Sequence, residues 1–210
     1  MKTLLKAALL LGIAFAAYLR FGRPRVLDWN ATEDERRRSL PGDDILAAPA
    51  IQTTRAIAID APPGRIWPWL VQMGPRPRAG VYTYDWLERR LGIDIDNADR
   101  ILPEFQHLEE DTFWEISPGQ GLRVREVQPG RAIVLQWEPA KSTWAFVLAP
   151  LPGDEGRTRL ISRNRVEGRG LRFWLLMRLF MEPGSLVMER KMLLGIRDRA
   201  ERTIEVPPAP

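Results

Sequence analysis

The sequence contains no cysteine and a single histidine, His107. The first absence excludes disulfides, thiolate zinc sites and cysteine nucleophiles. The second argues against an all-histidine metal site within one chain and against a conventional Ser-His-Asp triad. Lysine is nearly absent too, occurring only at positions 2, 6, 141 and 191, so arginine carries the net charge of +4. These arginines are scattered singly, apart from Arg36-Arg37-Arg38, and no nucleic-acid motif accompanies them. Nucleic acid is therefore not an expected partner. Internal repeats, low-complexity tracts and cofactor motifs are also lacking. What the chain does have is a hydrophobic fraction of 45% and eight tryptophans in 210 residues, enough for one domain with a proper core plus an appendage.

The appendage is N-terminal. Residues 4–21 are apolar but for Lys6 and Arg20. As a helix these 18 residues reach about 27 Å, close to the ~30 Å of a bilayer's hydrocarbon core. A cleaved export signal, with Ala14-Phe15-Ala16 as its cutting site, and a buried helix of the domain are two readings of this run. An uncleaved single-pass membrane anchor is the third, and the run's continuation through Tyr18-Leu19 favours it. Its flanking charges leave the side of the membrane open. The expected layout is an anchor over residues 1–25, a tether over 26–50, a folded domain over 51–204 and a Pro-rich tail over 205–210. Within the tether, Thr32 and Glu35 have the spacing of a helix-capping box.

The domain opens with a strand near Arg55–Ile59 and a helix entered through Pro62-Pro63, where a missing N–H costs nothing. A second short helix covers Tyr84–Leu91. Five strands follow, at Phe113–Ser117, Leu122–Gln128, Ala132–Trp137, Thr143–Ala149 and Arg157–Val166. Turn formers separate them, among them Pro118-Gly119, Pro129-Gly130 and Pro152-Gly153. Such short connections imply antiparallel neighbours. The last helix is Ser185–Arg202, with Leu186, Met192, Leu193, Ile196 and Ala200 on one face. Pro183-Gly184 is expected to set its start and Ser185 to cap it. Strands followed by one long amphipathic helix make an α+β pattern: a curved antiparallel sheet wrapped around a C-terminal helix, with room for a cavity between them.

Four stretches carry a family resemblance. They are Ala61-Pro62-Pro63 with Trp67-Pro68-Trp69-Leu70, the run Arg78–Leu87, the stretch Asn97–Glu104, and Met188–Leu193. Together they resemble the SRPBCC (START-like, polyketide cyclase/dehydrase) superfamily, in a membrane-associated branch, over about residues 40–204. The resemblance implies the helix-grip fold with a hydrophobic cavity between sheet and C-terminal helix. It implies no particular reaction, since fold does not fix function, and the iron-ligand and Rieske patterns of the oxygenase branch are absent.

Candidate cavity residues are the aromatics Trp69, Tyr82, Tyr84, Trp114 and Trp137, with Asp85, Asn164, Glu189 and Met192. Tyr82 with Asp85 near Arg78 reads either as an acid–base cluster or as a helix cap with its salt-bridge partner. Glu189 interrupts the apolar stripe of the last helix. It reads as a dipole-favoured first-turn acid, a cavity group, or half of a buried pair with an arginine such as Arg163. On the last strand, either Ser162 and Asn164 or Arg163 and Arg165 must face that helix. His107, beside Glu109, Glu110 and Asp111, reads as a solvated loop, and no metal site is expected. Leu171–Met181 is either a core helix or a membrane-interface segment resting on Phe173, Trp174 and Phe180. The expected function is a membrane-anchored domain that binds a hydrophobic small molecule, lipid or polyketide-like. A cyclase- or dehydratase-type enzyme using acid–base residues of the same cavity is the alternative, and a protein-interaction domain with a filled core is a third reading.

Overall fold

The computed structural model describes residues 2–202 apart from 91, 94, 139–141 and 152. Its centre is an antiparallel sheet of six strands: β1 (Ile51–Ile59), β2 (Phe113–Ser117), β3 (Gln120–Gln128), β4 (Ala132–Glu138), β5 (Ser142–Leu151) and β6 (Asp154–Val166). Their order across the sheet is β1-β6-β5-β4-β3-β2. The meander β2–β6 follows from the Pro-Gly turns, and β1 closes the far edge by pairing with β6 from Ile51↔Val166 to Ile59↔Thr158. Register shifts at Glu115/Ser117, Val124/Glu126 and Pro150/Leu151 bend the strands.

Among the described residues, α-helical segments accompany the sheet at α1 (Lys2–Ala17), α2 (Arg23–Leu27), α3 (Glu33–Arg37), α4 (Pro63–Val71), α5 (Asp85–Arg90), α6 (Gly170–Leu176) and α7 (Glu182–Glu201). Against the sheet's inner face, α7 buries Glu189, Met192, Leu193, Ile196 and Ala200. The result is α+β and helix-grip-like, a six-stranded antiparallel sheet with a long C-terminal helix.

The last helix begins earlier than its sequence suggests. Helical backbone runs from α6 through a π-turn at Met177–Met181 into α7 without a break. Pro183 does not start the helix because it stands in the first turn after that π-turn, where the regular i→i−4 ladder is already interrupted. Ser185 is thus inside the helix, its hydroxyl donating to the Glu182 carbonyl at 2.9 Å. Glu189 lies too far from the start for the helix dipole to explain it.

The sheet's outer face is covered by residues 28–47, expected as a tether. Thr32 and Glu35 form the capping box. Glu35 also accepts from Arg159 Nε and Nη2 at 2.8 and 2.9 Å. Arg163, buried, donates to the Arg38 carbonyl at 3.0 Å and pairs with Asp43, which Arg165 reaches at 2.9 Å. Beneath this strap Leu40, Ala56, Ala132, Val147 and Ile161 form a second small core. Gly42 (φ +81) crosses so close to Val134 that a Cβ there would overlap its methyl group. Arg163 and Arg165 therefore point outward, and Ser162 and Asn164 face the helix.

At the N-terminus, α1 is 16 residues long, about 24 Å, and leads through a π-turn at Tyr18–Gly22 into α2. Among the described residues no helix is long and apolar enough to cross a membrane. The apolar run divides because its last part docks on the domain. Tyr18 donates to the Arg178 carbonyl at 3.3 Å, and Arg23 holds Glu182 through two bonds of 2.8 Å.

Candidate functional site

Residues of all six strands, of α5 and the loops on either side of it, and of the π-turn with the first half of α7 line a cavity of about 380 Å³. That volume falls within the range of roughly 300–1,000 Å³ typical of small-molecule sites. Its apolar wall is made of Met177, Met181, Met188 and Met192 from the long helix, facing Trp137, Trp144, Ile51 and Leu122. Four of the chain's six methionines thus line one space. Unbranched, polarizable side chains of this kind repack around ligands of varied shape. Met181 stands at the rim, half exposed.

The polar part of the wall comes from Thr53, Thr83, Glu88, Asn164, Glu182, Ser185 and Glu189. Alternation on β1 places Ile51, Thr53, Arg55, Ile57 and Ile59 on the inner side. Arg55 is fully buried and forms an ion pair with Glu189. It also donates to Ser185 Oγ at 3.0 Å and to the Val26 carbonyl at 3.1 and 3.2 Å, near the C-terminal end of α2. Asn164 Nδ2 donates to the same Glu189 oxygen at 3.2 Å. Burial pushes the Glu189 carboxyl up, and the Arg55 charge opposes that shift. One buried network thereby joins β1, β6, α7 and the N-terminal helix.

Glu88 is buried, with the Thr83 side chain beside its carboxyl. Burial raises its carboxyl above the ordinary value; the Thr83 hydrogen bond opposes that shift and the Asp85 charge adds to it. A carboxyl whose pKa is higher folded than unfolded binds its proton more tightly in the folded state. Stability is then lost as pH rises from the ordinary carboxylate value through the folded one. Glu88→Gln should accordingly be more stable than the parent at neutral pH, with the advantage shrinking as pH falls toward 4. Urea denaturation at a series of pH values checks this, and a pH-independent difference would contradict it.

Of the candidates read from sequence, Trp137, Asn164, Glu189 and Met192 line the cavity together. Trp69 and Tyr82 lie in the core beside it, edge to face at 6.0 Å. The Tyr82 hydroxyl donates to the Trp69 carbonyl at 2.8 Å and accepts from Gln72 at 3.0 Å. Burial pushes its pKa up, so the hydroxyl keeps its proton and spends it on the Trp69 carbonyl. Trp114 is core as well, under the Arg78 guanidinium at 5.3 Å. Arg78 does not pair with Asp85. It donates to the carbonyls of Met73 and Val71 at the end of α4, while Asp85 accepts from Asn97. Tyr84 is half buried beneath Lys191. His107 is exposed and meets Glu109 at 3.1 Å.

Sequence reading missed Arg55, Thr53, Thr83, Glu88 and the methionine stripe. A charged residue at an inward position of a strand, and methionines spaced four, seven and four apart, were the signals available.

In Gly170–Met181 no described side chain is buried. A core helix is therefore not what this segment forms. Phe180 is 67% exposed, with Leu171, Leu175, Leu176, Leu179 and Met181 exposed beside it. Phe173 folds back over Gly168, and Trp174 lies under Arg178 at 4.9 Å. In α1, Leu9, Leu10 and Ile13 are exposed likewise.

No family model and no curated protein sequence matches the chain. Solved structures resemble it. Protein MLL2253 from Mesorhizobium loti does so at 17% identity and TM-score 0.42, over 73% of this chain and 98% of its own. The KanY protein does so at 10% identity and TM-score 0.49, over 72% and 98%. The Polyketide_cyc-like protein Cgl2372 from Corynebacterium glutamicum does so at 15% identity and TM-score 0.42, over 70% and 88%.

Proposed function

We propose that this chain is a START-like domain of the SRPBCC superfamily that binds a hydrophobic small molecule, lipid or polyketide-like, and does so at a membrane. The observation that carries this reading is the cavity between the sheet and α7, walled by four methionines and two tryptophans. An apolar body lying along that wall would exchange water for contact with the methionines and tryptophans, at roughly 25 cal/mol per Å² of apolar surface buried. A filled core, as an interaction domain would have, does not accord with this space. The acid–base alternative loses the residues proposed for it. Tyr82 is tied to the backbone outside the cavity, Asp85 is held by Asn97, and Glu189 is held by Arg55 and Asn164.

Membrane attachment rests on exposed apolar side chains. Those of α1 and of Gly170–Met181 exceed what soluble surfaces leave uncovered singly. In the proposed arrangement α1 is the anchor, short enough to need a thinned bilayer or flanking residues that reach the interface. Gly170–Met181 rests on the same bilayer, with Phe180 inserted and Arg172 and Arg178 toward the headgroups. Its Met177 and Met181 belong to the cavity wall, so a ligand passes between bilayer and cavity at that edge.

Replacing Phe180 and Leu179 with serine should release the segment from lipid and leave the melting temperature within a few degrees, because neither side chain is buried. Flotation of the full chain with anionic liposomes, with α1 replaced by a polar helix of equal length, reads this contact alone. Undiminished flotation would remove Gly170–Met181 from the membrane. Alkaline carbonate extraction of the native chain tests α1: the chain should stay in the pellet, and its release would refute the anchor.

A further inference from the structure

The charges beside the exposed apolar segments are of one sign. Residues 2–27 and 170–181 hold seven of the chain's 31 lysines and arginines and none of its 27 aspartates and glutamates. The other 24 basic residues share the rest of the chain with all 27 acids. A net charge of +4 thus divides into +7 on these two segments and −3 on everything else. Elsewhere arginine has acids at hand, as in the pairs Arg123–Glu138, Arg157–Asp60 and Arg159–Glu35. Tyr18 and Arg23 hold the two segments side by side, through the Arg178 carbonyl and Glu182.

Arg23 turns inward in that contact, whereas Lys6, Arg20, Arg25 and Arg172 are exposed. Arg172 shares one helical stripe with Leu171, Leu175, Leu176, Leu179 and Phe180, all exposed. Arg20 stacks on the exposed ring of Phe21 at 5.3 Å. Cations set among uncovered apolar side chains suit an interface where hydrocarbon meets negative headgroups. Hydrocarbon contact alone needs none of them, and like charges crowded on one surface repel each other until anions meet them. The acidic remainder of the chain is repelled by the same headgroups, so other faces of the domain are turned away. Resting on the membrane attachment proposed above, we propose that this face docks on a bilayer rich in anionic phospholipid. The division of charge orients the domain there, with the Met177 and Met181 edge of the cavity toward the lipid.

The test lets the full chain choose. Diluted out of a non-ionic detergent, it meets two vesicle populations of different density, present in equal amounts. One is phosphatidylcholine, the other equal parts phosphatidylcholine and phosphatidylglycerol. The apolar contribution of the anchor is common to both and cancels in the ratio. A basic side chain near an anionic surface is worth about fivefold in partitioning. The parent should therefore favour the anionic vesicles at least twentyfold in low salt and divide within twofold in molar salt, where screening is short-ranged. Arg20→Gln/Arg172→Gln should lower the low-salt ratio at least fivefold. Arg65→Gln/Arg131→Gln removes the same charge at the sheet's other end, in α4 and the β3–β4 turn, and should leave the ratio within twofold. All four side chains are exposed, so both variants keep the fold. An even split of the parent, or a preference that molar salt leaves intact, would overturn the inference while leaving a membrane protein. Recovery with neither vesicle would overturn the membrane reading and the inference with it. Equal losses in the two variants would show that net charge and not this face sets the preference, and would overturn the proposed orientation.

Discussion

Glu189→Leu is expected to cost about 3–5 kcal/mol of folding stability, because it leaves the fully buried Arg55 guanidinium without its carboxylate. Arg55→Met should cost as much, by stranding Glu189. The double variant Arg55→Met/Glu189→Leu should recover most of either loss, since removing both charges of a buried pair for apolar groups of similar volume is often neutral or better. Chemical denaturation of the three variants measures this coupling. Strictly additive losses in the double variant would mean that the two side chains are not partners.

Removing the N-terminal helix has the second large effect. A chain beginning at Asp28 loses Arg23, which leaves the buried Glu182 unpaired, and loses the Val26 carbonyl that accepts twice from Arg55. The expected loss is at least the roughly 3 kcal/mol of one broken buried pair, and Arg23→Met in the full chain should reproduce most of it. A tether would predict otherwise, namely a shortened chain as stable as the parent. Equal melting temperatures for the Asp28 chain and the full chain would show that α2 is only adjacent to the domain and not part of it.

Much of the fold was legible because its signals are local. Pro-Gly turns separated the strands of the meander, Thr32 and Glu35 announced their capping box, and alternation set which face each strand residue takes. What escaped depends on partners distant in sequence. Glu35 and Asp43 look like charges of a solvated linker until Arg159 and Arg163, more than a hundred residues later, are seen to hold them against the sheet. From sequence Arg163 is a candidate partner of Glu189, and nothing local singles out Arg55, although both occupy strands. Only the pairing of β1 with β6, which sets Arg55 opposite Ser162, decides between them.

The site was half legible for a related reason. Tryptophans read from sequence as ligand-contacting groups, yet Trp69 and Trp114 are core, where large aromatics contribute most. The methionines carry no such sequence signal individually, but their shared face forms part of the cavity wall. The boundary at Pro183 misled because proline is compatible with a helix's first turn after a π-turn as well as with a true start.

The claim on which the rest depends is that the space between sheet and α7 holds an apolar molecule. Native mass spectrometry of the full chain, extracted in a mild detergent and sprayed directly, tests it. The parent should carry an additional mass of a few hundred daltons that collisional heating removes, and Met192→Trp, which fills the cavity from α7, should carry none while keeping its fold. A parent that flies at its bare mass under the gentlest conditions, or a filled variant that retains the same adduct, would contradict it.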